Sequence, residues 1–353
     1  MENNSTVDFY YRANNYPAGF WIYGVICPII SAFTLIFNML VIVVFLKRKM
    51  RSPTSALLIG LAVSDILAAN VINIAFVYVH GFLDVTKPLP YPMCIIYNVT
   101  SKLAPSFHTT SVWITTALGI QRFIIVAFPM QGPRFCSIRT STVIIIGTYV
   151  LSFLMYIPSF LQRRFDPVTI LDESGNEITV CNCTRGQEIL SINKLQNVLR
   201  SVFGQLVPCA ILFLTTLLLS RKLKLETKRI LQLHKHENTE TERRDFRQIR
   251  RTSQMIIVLV SIFLFVEIPN GIVFALFVFY PELLESNIEQ IQILSIVLNL
   301  LVFIIYLINF WIYVTLSRQF RRELKLLCGR KLCGYREKIN IGMSTTFTSI
   351  PMT

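Results

Sequence analysis

Seven long apolar runs, separated by shorter polar segments, dominate the sequence. They lie at about residues 20–46, 54–80, 95–127, 139–161, 196–220, 252–280 and 289–316. A helix that crosses the hydrocarbon core of a membrane needs roughly 20 mostly apolar residues, and each run is long enough. The pattern therefore predicts an all-α membrane protein, in which residues 20–316 form a bundle of seven transmembrane helices, here called spans one to seven.

Three shorter stretches complete the predicted organisation. Residues 1–19 form a polar N-terminal tail, and residues 317–328 alternate basic and apolar side chains at helical spacing. That spacing is typical of a short amphipathic helix on a membrane surface. Residues 329–353 are predicted to be a cytoplasmic tail, rich in Ser and Thr near its end and without stable structure. The longest outer connection, 166–194, is a candidate hairpin lid over the bundle.

The distribution of charge predicts the orientation of the chain. Most of the 34 Lys and Arg residues follow spans one, three, five and seven. Such loops stay in the cytoplasm, so we expect a plasma-membrane protein with its N-terminus outside and its C-terminus inside. Asn3, Asn4 and Asn182 stand in glycosylation sequons on the predicted outer side. The net charge of +14 thus indicates topology and contact with anionic lipid, not nucleic-acid binding.

The cysteines divide between the two predicted sides of the membrane. Cys94, Cys181 and Cys183 fall in outer segments, where an oxidising environment preserves disulfides. Cys328 and Cys333 follow span seven on the cytoplasmic side, where lipidation is the expected modification.

Several ionisable side chains fall within the predicted spans, where a charge is costly unless it faces the interior of a bundle. Among them are Asp65, Lys102, His108, Arg122 and Glu267. At about 100° per residue, Thr115, Ser111 and His108 lie within about 40° of Arg122 on span three. These four side chains form one polar stripe. Lys102 lies on nearly the opposite face, which suits a side chain that extends outward to the membrane surface.

Most of these residues also have a purely structural interpretation. Serine and threonine in membrane helices commonly bond their own backbone, which would account for Ser111 and Thr115. His108 would then be a packing histidine, and Glu267 a protonated side chain held by a hydrogen bond. For the charges at 65 and 122, the cost of placement in lipid favours a functional role.

Short motifs in five spans resemble those of rhodopsin-like G-protein-coupled receptors. Span one contains Asn38, and span two contains Leu-Ala-Val-Ser-Asp65. Gln121-Arg122-Phe123 stands where the family has Asp-Arg-Tyr at the inner end of span three. Phe263–Pro269 stands for Phe-x-x-x-Trp-x-Pro in span six, and Asn309–Tyr313 stands for Asn-Pro-x-x-Tyr in span seven.

Departures from these motifs indicate a subgroup. Glu267 replaces the tryptophan and Gln121 replaces the acid, as in the sex-peptide/myoinhibitory-peptide receptor group of invertebrates. The stretches 50–54, 108–123 and 308–321 also resemble that group, and myosuppressin and FMRFamide-like receptors share part of the pattern. The resemblance implies a receptor for an amidated neuropeptide that acts through inhibitory, cyclic-AMP-lowering G proteins. Arrestin and receptor kinases would act at the tail.

The resemblance also implies an activation switch at the inner side. Its residues would be Gln121, Arg122, Phe123, Pro269, Asn309 and Tyr313. Arg122 would contact the C-terminal helix of the G protein, and Tyr313 would swing toward Arg122 on activation. Because Gln121 replaces an acid, Arg122 loses its usual neighbouring restraint, which predicts measurable resting activity.

Two further features follow from the same resemblance. Asp65, Ser111 and Asn309 match the sodium pocket of the family, and oxygen ligands around a carboxylate suit a hard cation. No other cofactor is implied. Cys94 would bond a cysteine of the second outer loop, for which Cys181 fits best and Cys183 is the alternative.

The candidate ligand contacts are His108, Glu267, Lys102 and Phe263. We expect Glu267 to face the pocket and to interact with a polar or cationic group of the peptide. A chemosensory receptor for a small molecule is the main alternative, because such receptors share this architecture. A transporter or channel would require inverted repeats or paired charges along a pathway, which the sequence lacks. No metal-ligand spacing or nucleophile suggests an enzyme.

Overall fold

The computed structural model describes residues 20–79, 90–161, 163–171, 177–185, 190–233, 240–280, 288–327 and 329. Within these residues, seven helices are long and apolar enough to cross a membrane. The predicted seven-helix bundle is therefore confirmed. The predicted glycosylation residues Asn3 and Asn4 and the predicted lipidation residues Cys328 and Cys333 lie outside the described residues.

The helices follow the predicted apolar runs with small shifts at their ends. Span one consists of a π-helical segment, Phe20–Ile26, and an α-helix, Cys27–Leu46, and span two consists of Pro53–Val71 and Asn73–Val77. Span three is Tyr91–Ala127, span four is Ile138–Leu161, span six is Glu240–Phe279 and span seven is Ile288–Leu316. Span five consists of Leu190–Ser201, a π-helical segment Val202–Leu206, and Val207–Leu233. Short helices Arg48–Met50 and Gly132–Phe135 occupy the first two inner connections. Spans five and six extend beyond their apolar runs, because no proline or glycine interrupts the polar residues there.

Side-chain caps begin two of the spans. The hydroxyl of Ser52 accepts a hydrogen bond from the backbone N–H of Ser55 at 3.1 Å, and Pro53 occupies the first turn of span two. The hydroxyl of Ser137 accepts in the same way from the N–H of Thr140 at 3.1 Å, at the start of span four. Serine before the first turn, with proline inside it, is a strong local signal for a helix start.

A β-hairpin follows span four and is the one sheet in the described part of the chain. Strand β1, Arg163–Leu171, pairs antiparallel with strand β2, Glu177–Arg185. An isolated bridge between Val180 and Pro90 joins β2 to the start of span three. The second outer loop thus contains the hairpin that its sequence suggested, a small β element in an otherwise helical protein.

The cysteines of this loop are only partly described. Cys94, near the start of span three, is buried and disulfide-bonded. The side chains of Cys181, Asn182 and Cys183 on β2 lie outside the described side chains. The pairing of Cys94 with Cys181 therefore stays a prediction, and so does glycosylation of Asn182.

A short helix over residues 318–327 follows span seven and confirms the predicted eighth helix. Phe320 is fully buried, and its ring lies 5.4 Å from that of Phe45 in span one. The ammonium group of Lys47 donates to the carbonyl oxygen of Glu323 at 2.7 Å. Arginines and a leucine on the other face are exposed, as expected of an amphipathic helix.

Buried polar side chains join span one to its neighbours. The hydroxyl of Ser31 donates to the carbonyl oxygen of Ala69 in span two at 2.9 Å. The amide of Asn38 donates to the carbonyl oxygen of Tyr306 in span seven at 3.0 Å. Because lipid offers no competing partners, such bonds hold helices at fixed heights relative to one another.

Candidate functional site

An open cavity of about 330 Å³ occupies the half of the bundle that also carries the hairpin. All seven spans contribute residues to its wall, which is mainly aromatic and apolar with a smaller number of polar groups among them. The polar groups include His108, Arg200, Gln205, Asn270 and Asn299. A mainly apolar concavity with a few convergent polar groups is the usual form of a ligand site.

Three polar side chains from three spans meet at one side of this cavity, and we call them the Glu267 cluster. Glu267 in span six is fully buried. Its Oε1 atom lies 3.3 Å from Nε2 of His108 in span three. The amide of Gln205 in span five donates to the Glu267 carboxylate and, at 3.3 Å, to the Glu267 backbone carbonyl. His108 and Gln205 line the cavity, whereas Glu267 lies behind them.

A local change of helix type brings Gln205 to this position. Span five is π-helical over Val202–Leu206, and such bulges often occur at functional sites. The indole N–H of Trp113 donates to the carbonyl oxygen of Phe203 at 3.1 Å. On the facing helix, a Cβ atom at Gly271 would lie only 2.7 Å from Cγ of Gln205. Gly271 therefore leaves the space through which Gln205 reaches Glu267.

A second buried carboxylate lies deeper in the bundle. Asp65 is fully buried and accepts hydrogen bonds from the hydroxyl of Ser111 and the amide of Asn309, each at 2.7 Å. Among the described residues, Asp65 forms no ion pair. The structure thus brings together the three residues that the sequence suggested for a sodium pocket. Thr115 instead donates to the backbone carbonyl of Ser111 at 2.8 Å, which is the purely structural role.

The four residues expected to contact a ligand are separated in the structure. His108 lines the cavity and bonds the hydroxyl of Tyr306 at 2.8 Å. Glu267 was expected to face the pocket, but it lies behind the cavity wall. Phe263 is buried in the hydrophobic core of the bundle, and Lys102 is half-buried outside the cavity wall. In this structure, only His108 of the four contacts the cavity.

Several residues of the cavity wall were not predicted from the sequence, among them Gln205, Arg200 and Tyr306. Gln205 is a polar side chain in an apolar run, three residues before Pro208. The free-energy cost of exposing such a side chain to lipid indicates that it faces the interior of the bundle. Arg200 was also recognisable from the sequence as a candidate functional residue, because basic residues are sparse at the outer ends of the spans. Tyr306 carried no such signal, since nothing in its sequence context distinguishes it from a packing tyrosine.

At the other end of span three, Arg122 is held by neutral groups. Its guanidinium donates to the hydroxyl of Thr54 in span two at 2.5 Å. That hydroxyl donates to the Gln121 side-chain oxygen at 3.1 Å, and the Gln121 amide donates to Ser141 in span four at 3.1 Å. Among the described residues, no carboxylate forms an ion pair with Arg122.

The other expected switch residues have partners of their own. The ring of Tyr313 lies 5.5 Å from that of Phe45 and 5.8 Å from that of Phe320. In the described part of the protein, no hydrogen bond joins Tyr313 to Arg122. Phe123 packs against a small apolar cluster between spans three and five. In this structure, Tyr313 and Arg122 therefore contact different partners.

Comparison with known proteins identifies the family. The family model described as "Serpentine type 7TM GPCR chemoreceptor Srw" matches residues 25–331, from the first turns of span one to beyond the short eighth helix. The chain is a rhodopsin-like G-protein-coupled receptor. It is consequently a multi-pass membrane protein that responds to a ligand and couples to a heterotrimeric G protein, and it is not an enzyme.

Curated relatives narrow the assignment of the receptor. It is 31% identical over 318 residues to the sex peptide receptor of Drosophila melanogaster, a match that covers 86% of this chain and 72% of that protein. It is 26% identical to the sex peptide receptor-related protein 2 of Caenorhabditis elegans, over 87% of this chain and 71% of that protein. The FMRFamide receptor of Drosophila melanogaster is 20% identical, over 87% and 54%. The receptor belongs to the sex-peptide receptor group.

Replacement of Gly271 by alanine tests the Glu267 cluster. We expect Gly271→Ala to displace Gln205 and to remove its hydrogen bond to the Glu267 carboxylate. Loss of a buried bond to a charged group costs about 1–3 kcal/mol. The free energy of unfolding should fall accordingly, seen as a lower melting temperature of the receptor purified in detergent.

Gly147→Ala is the matched control, because a Cβ atom at this glycine in span four would meet no atom within 4 Å. The control should melt at or slightly above the wild-type temperature. Equal melting temperatures for the two variants would show that Gly271 does not hold a space for Gln205.

Proposed function

We propose that the receptor binds an amidated neuropeptide of the myoinhibitory or FMRFamide/myosuppressin-like type and lowers cyclic AMP through an inhibitory G protein. The observation that carries this proposal is similarity over most of the chain to proteins named as receptors for sex peptide and for FMRFamide. An aromatic cavity with several hydrogen-bonding groups beside an outer hairpin supports a peptide that inserts one end.

The proposal includes the expected placement of the chain in the plasma membrane, with the N-terminus outside and the C-terminus inside. The modifications and tail partners that belong to it are glycans at Asn3, Asn4 and Asn182, a Cys94–Cys181 disulfide, acyl chains at Cys328 and Cys333, and arrestin and receptor kinases at residues 329–353. The concentration of Lys and Arg in the inner segments supports this orientation.

The Glu267 cluster offers a route from the cavity to span six. His108 and Gln205 line the cavity, and both contact Glu267, which lies two residues before Pro269. A ligand that reorients either side chain changes the partners of a buried carboxylate. Proline removes a backbone hydrogen bond, so span six bends most easily there. An outward movement of its inner end would open the cleft for the G protein.

A cyclic-AMP assay tests the proposed function. Cells that express the receptor are challenged with amidated invertebrate neuropeptides, myoinhibitory types first, after stimulation of adenylyl cyclase. We expect a saturable fall of cyclic AMP at nanomolar peptide. Arg122→Ala should abolish the fall, because we expect this guanidinium to contact the G protein, whereas peptide binding in the absence of G protein should persist.

Arg48→Ala serves as the control, since Arg48 is an exposed arginine of the first inner connection. It should respond like the wild type at equal surface expression. No response to any peptide, with the receptor present at the surface, would contradict the proposed ligand class.

A small-molecule ligand is the second candidate function. The matching family model is described as that of a chemoreceptor, and a volume of about 330 Å³ lies at the lower end of the range for small-ligand pockets. A chemosensory receptor would ignore the peptide panel and respond to small molecules in the same assay.

Resting activity is expected from the way Arg122 is held. Thr54 is a neutral partner, and its hydroxyl lacks the Coulombic attraction that a carboxylate would add to a hydrogen bond with the guanidinium. Gln121→Asp places a carboxylate beside Arg122 and should lower the ligand-independent suppression of cyclic AMP. Gln121→Asn introduces a neutral side chain of the same size as aspartate and should leave this basal suppression unchanged. Equal basal signals in the aspartate variant and the wild type would contradict this explanation.

The proposed receptor also binds a sodium ion, and its ligands would be Asp65, Ser111 and Asn309. The site offers a buried carboxylate without a cationic side-chain partner among the described residues, next to a hydroxyl and an amide. A sodium ion there would neutralise the carboxylate. These residues would then hold spans two, three and seven in the resting arrangement.

Substitution of Asp65 tests the sodium site. Sodium chloride should weaken agonist binding to the wild-type receptor several-fold relative to choline chloride at equal ionic strength. In Asp65→Asn this difference should vanish, because the neutral amide does not attract the cation. A sodium effect of the same size in the variant would place the ion elsewhere.

A further inference from the structure

Arg200 in span five packs its guanidinium against two aromatic rings. Its Cζ atom lies 4.7 Å from the ring centroid of Tyr156 in span four and 5.1 Å from that of Phe274 in span six. All three side chains line the cavity. Cation–π contacts of this kind hold the guanidinium group in place against the rings. Arg200 is therefore a positioned donor group in the cavity wall.

The donors of Arg200 are not used within the described part of the protein. Its Nε atom is buried without a hydrogen-bond partner there, and no described carboxylate forms an ion pair with it. A guanidinium carries five N–H donors in one plane, and they match the two oxygens of a carboxylate or the oxygen of an amide. Two aromatic rings pack against this group, and its Nη donors, which have no described hydrogen-bond partner, remain for a ligand in the cavity.

The remainder of the cavity wall contains no carboxylate among the residues that line it. Glu267 lies behind the wall, fully buried and engaged by His108 and Gln205. A cationic group of a ligand would meet Arg200 without an acidic partner at hand. An oxygen acceptor would meet both a positive charge and fixed donors.

We propose that Arg200 binds a planar oxygen acceptor of the ligand, either a carboxylate or a carboxamide. This inference rests on the proposed peptide function and deepens it, since the acceptor would be the C-terminal carboxamide or an acidic side chain of the peptide. The ligand group at Arg200 would thus be a hydrogen-bond acceptor, whereas a cationic ligand group was expected at Glu267.

Three probes that share one ring test the polarity of the site without any signalling response. The melting temperature of the purified receptor is measured with millimolar indole-3-acetate, indole-3-acetamide and tryptamine. We expect the carboxylate or the carboxamide to stabilise the wild type more than the amine does. The stabilisation should be lost in Arg200→Gln and reduced in Arg200→Lys, because lysine lacks the planar set of donors.

Leu199→Ala is the control, since the neighbouring Leu199 is exposed and lies outside the cavity wall. It should retain the wild-type order of stabilisation. A shift by tryptamine as large as the others, no shift by any probe, or an unchanged shift in Arg200→Gln would each overturn the proposal.

A peptide pair then distinguishes the two sources of the acceptor. An active peptide is compared as its amide and as its free acid, and in forms with each acidic side chain replaced by the corresponding amide. In the wild type, the change at the group that Arg200 binds should alter potency at least ten-fold. In Arg200→Gln this ratio should approach one. If no peptide is active, the proposed peptide function fails, while the three probes still decide the role of Arg200.

Discussion

Inside a hydrocarbon layer, a polar side chain must find its partners within the protein, because no water is available to replace them. This constraint determines which faces of the spans meet. Asp65 draws Ser111 and Asn309 toward it, so spans two, three and seven converge on one point. Glu267 draws spans three and five toward span six in the same way. The apolar surfaces then pack around these fixed contacts.

The same constraint explains why much of the fold could be predicted from the sequence. Continuous apolar runs bounded by polar segments locate the membrane-crossing part of each span to within a few residues. Asp65 and Arg122 were recognisable because a charge at membrane depth is rare and costly. The amphipathic eighth helix followed from the alternation of basic and apolar residues, and Phe320 lies on its apolar face.

The composition of the cavity wall could not be predicted in the same way. Which side of a span faces the cavity depends on helix rotation, and the π-helical segment Val202–Leu206 changes that rotation within span five. Periodicity at 3.6 residues per turn cannot anticipate such a change. Glu267 was therefore assigned to the pocket on residue type alone, whereas its carboxylate is enclosed by Gln205 and His108. The stacking of Arg200 on rings from spans four and six depends on tertiary packing for the same reason.

The Glu267 cluster has a consequence for how a ligand can act at a distance. Displacement of His108 would remove the polar neighbour that lies 3.3 Å from Glu267 Oε1, and a buried polar atom without a partner costs about 1–3 kcal/mol. The bundle would then need compensation. A movement of span six that gives Glu267 a new partner would supply it. The effect of the ligand is limited to the difference in its affinity for the two arrangements. His108, Ser111 and Arg122 all belong to span three. A movement of this span at the cavity would therefore also shift the Asp65 site and the inner end of span three. By reciprocity, a G protein that favours the moved arrangement must strengthen ligand binding by the same factor.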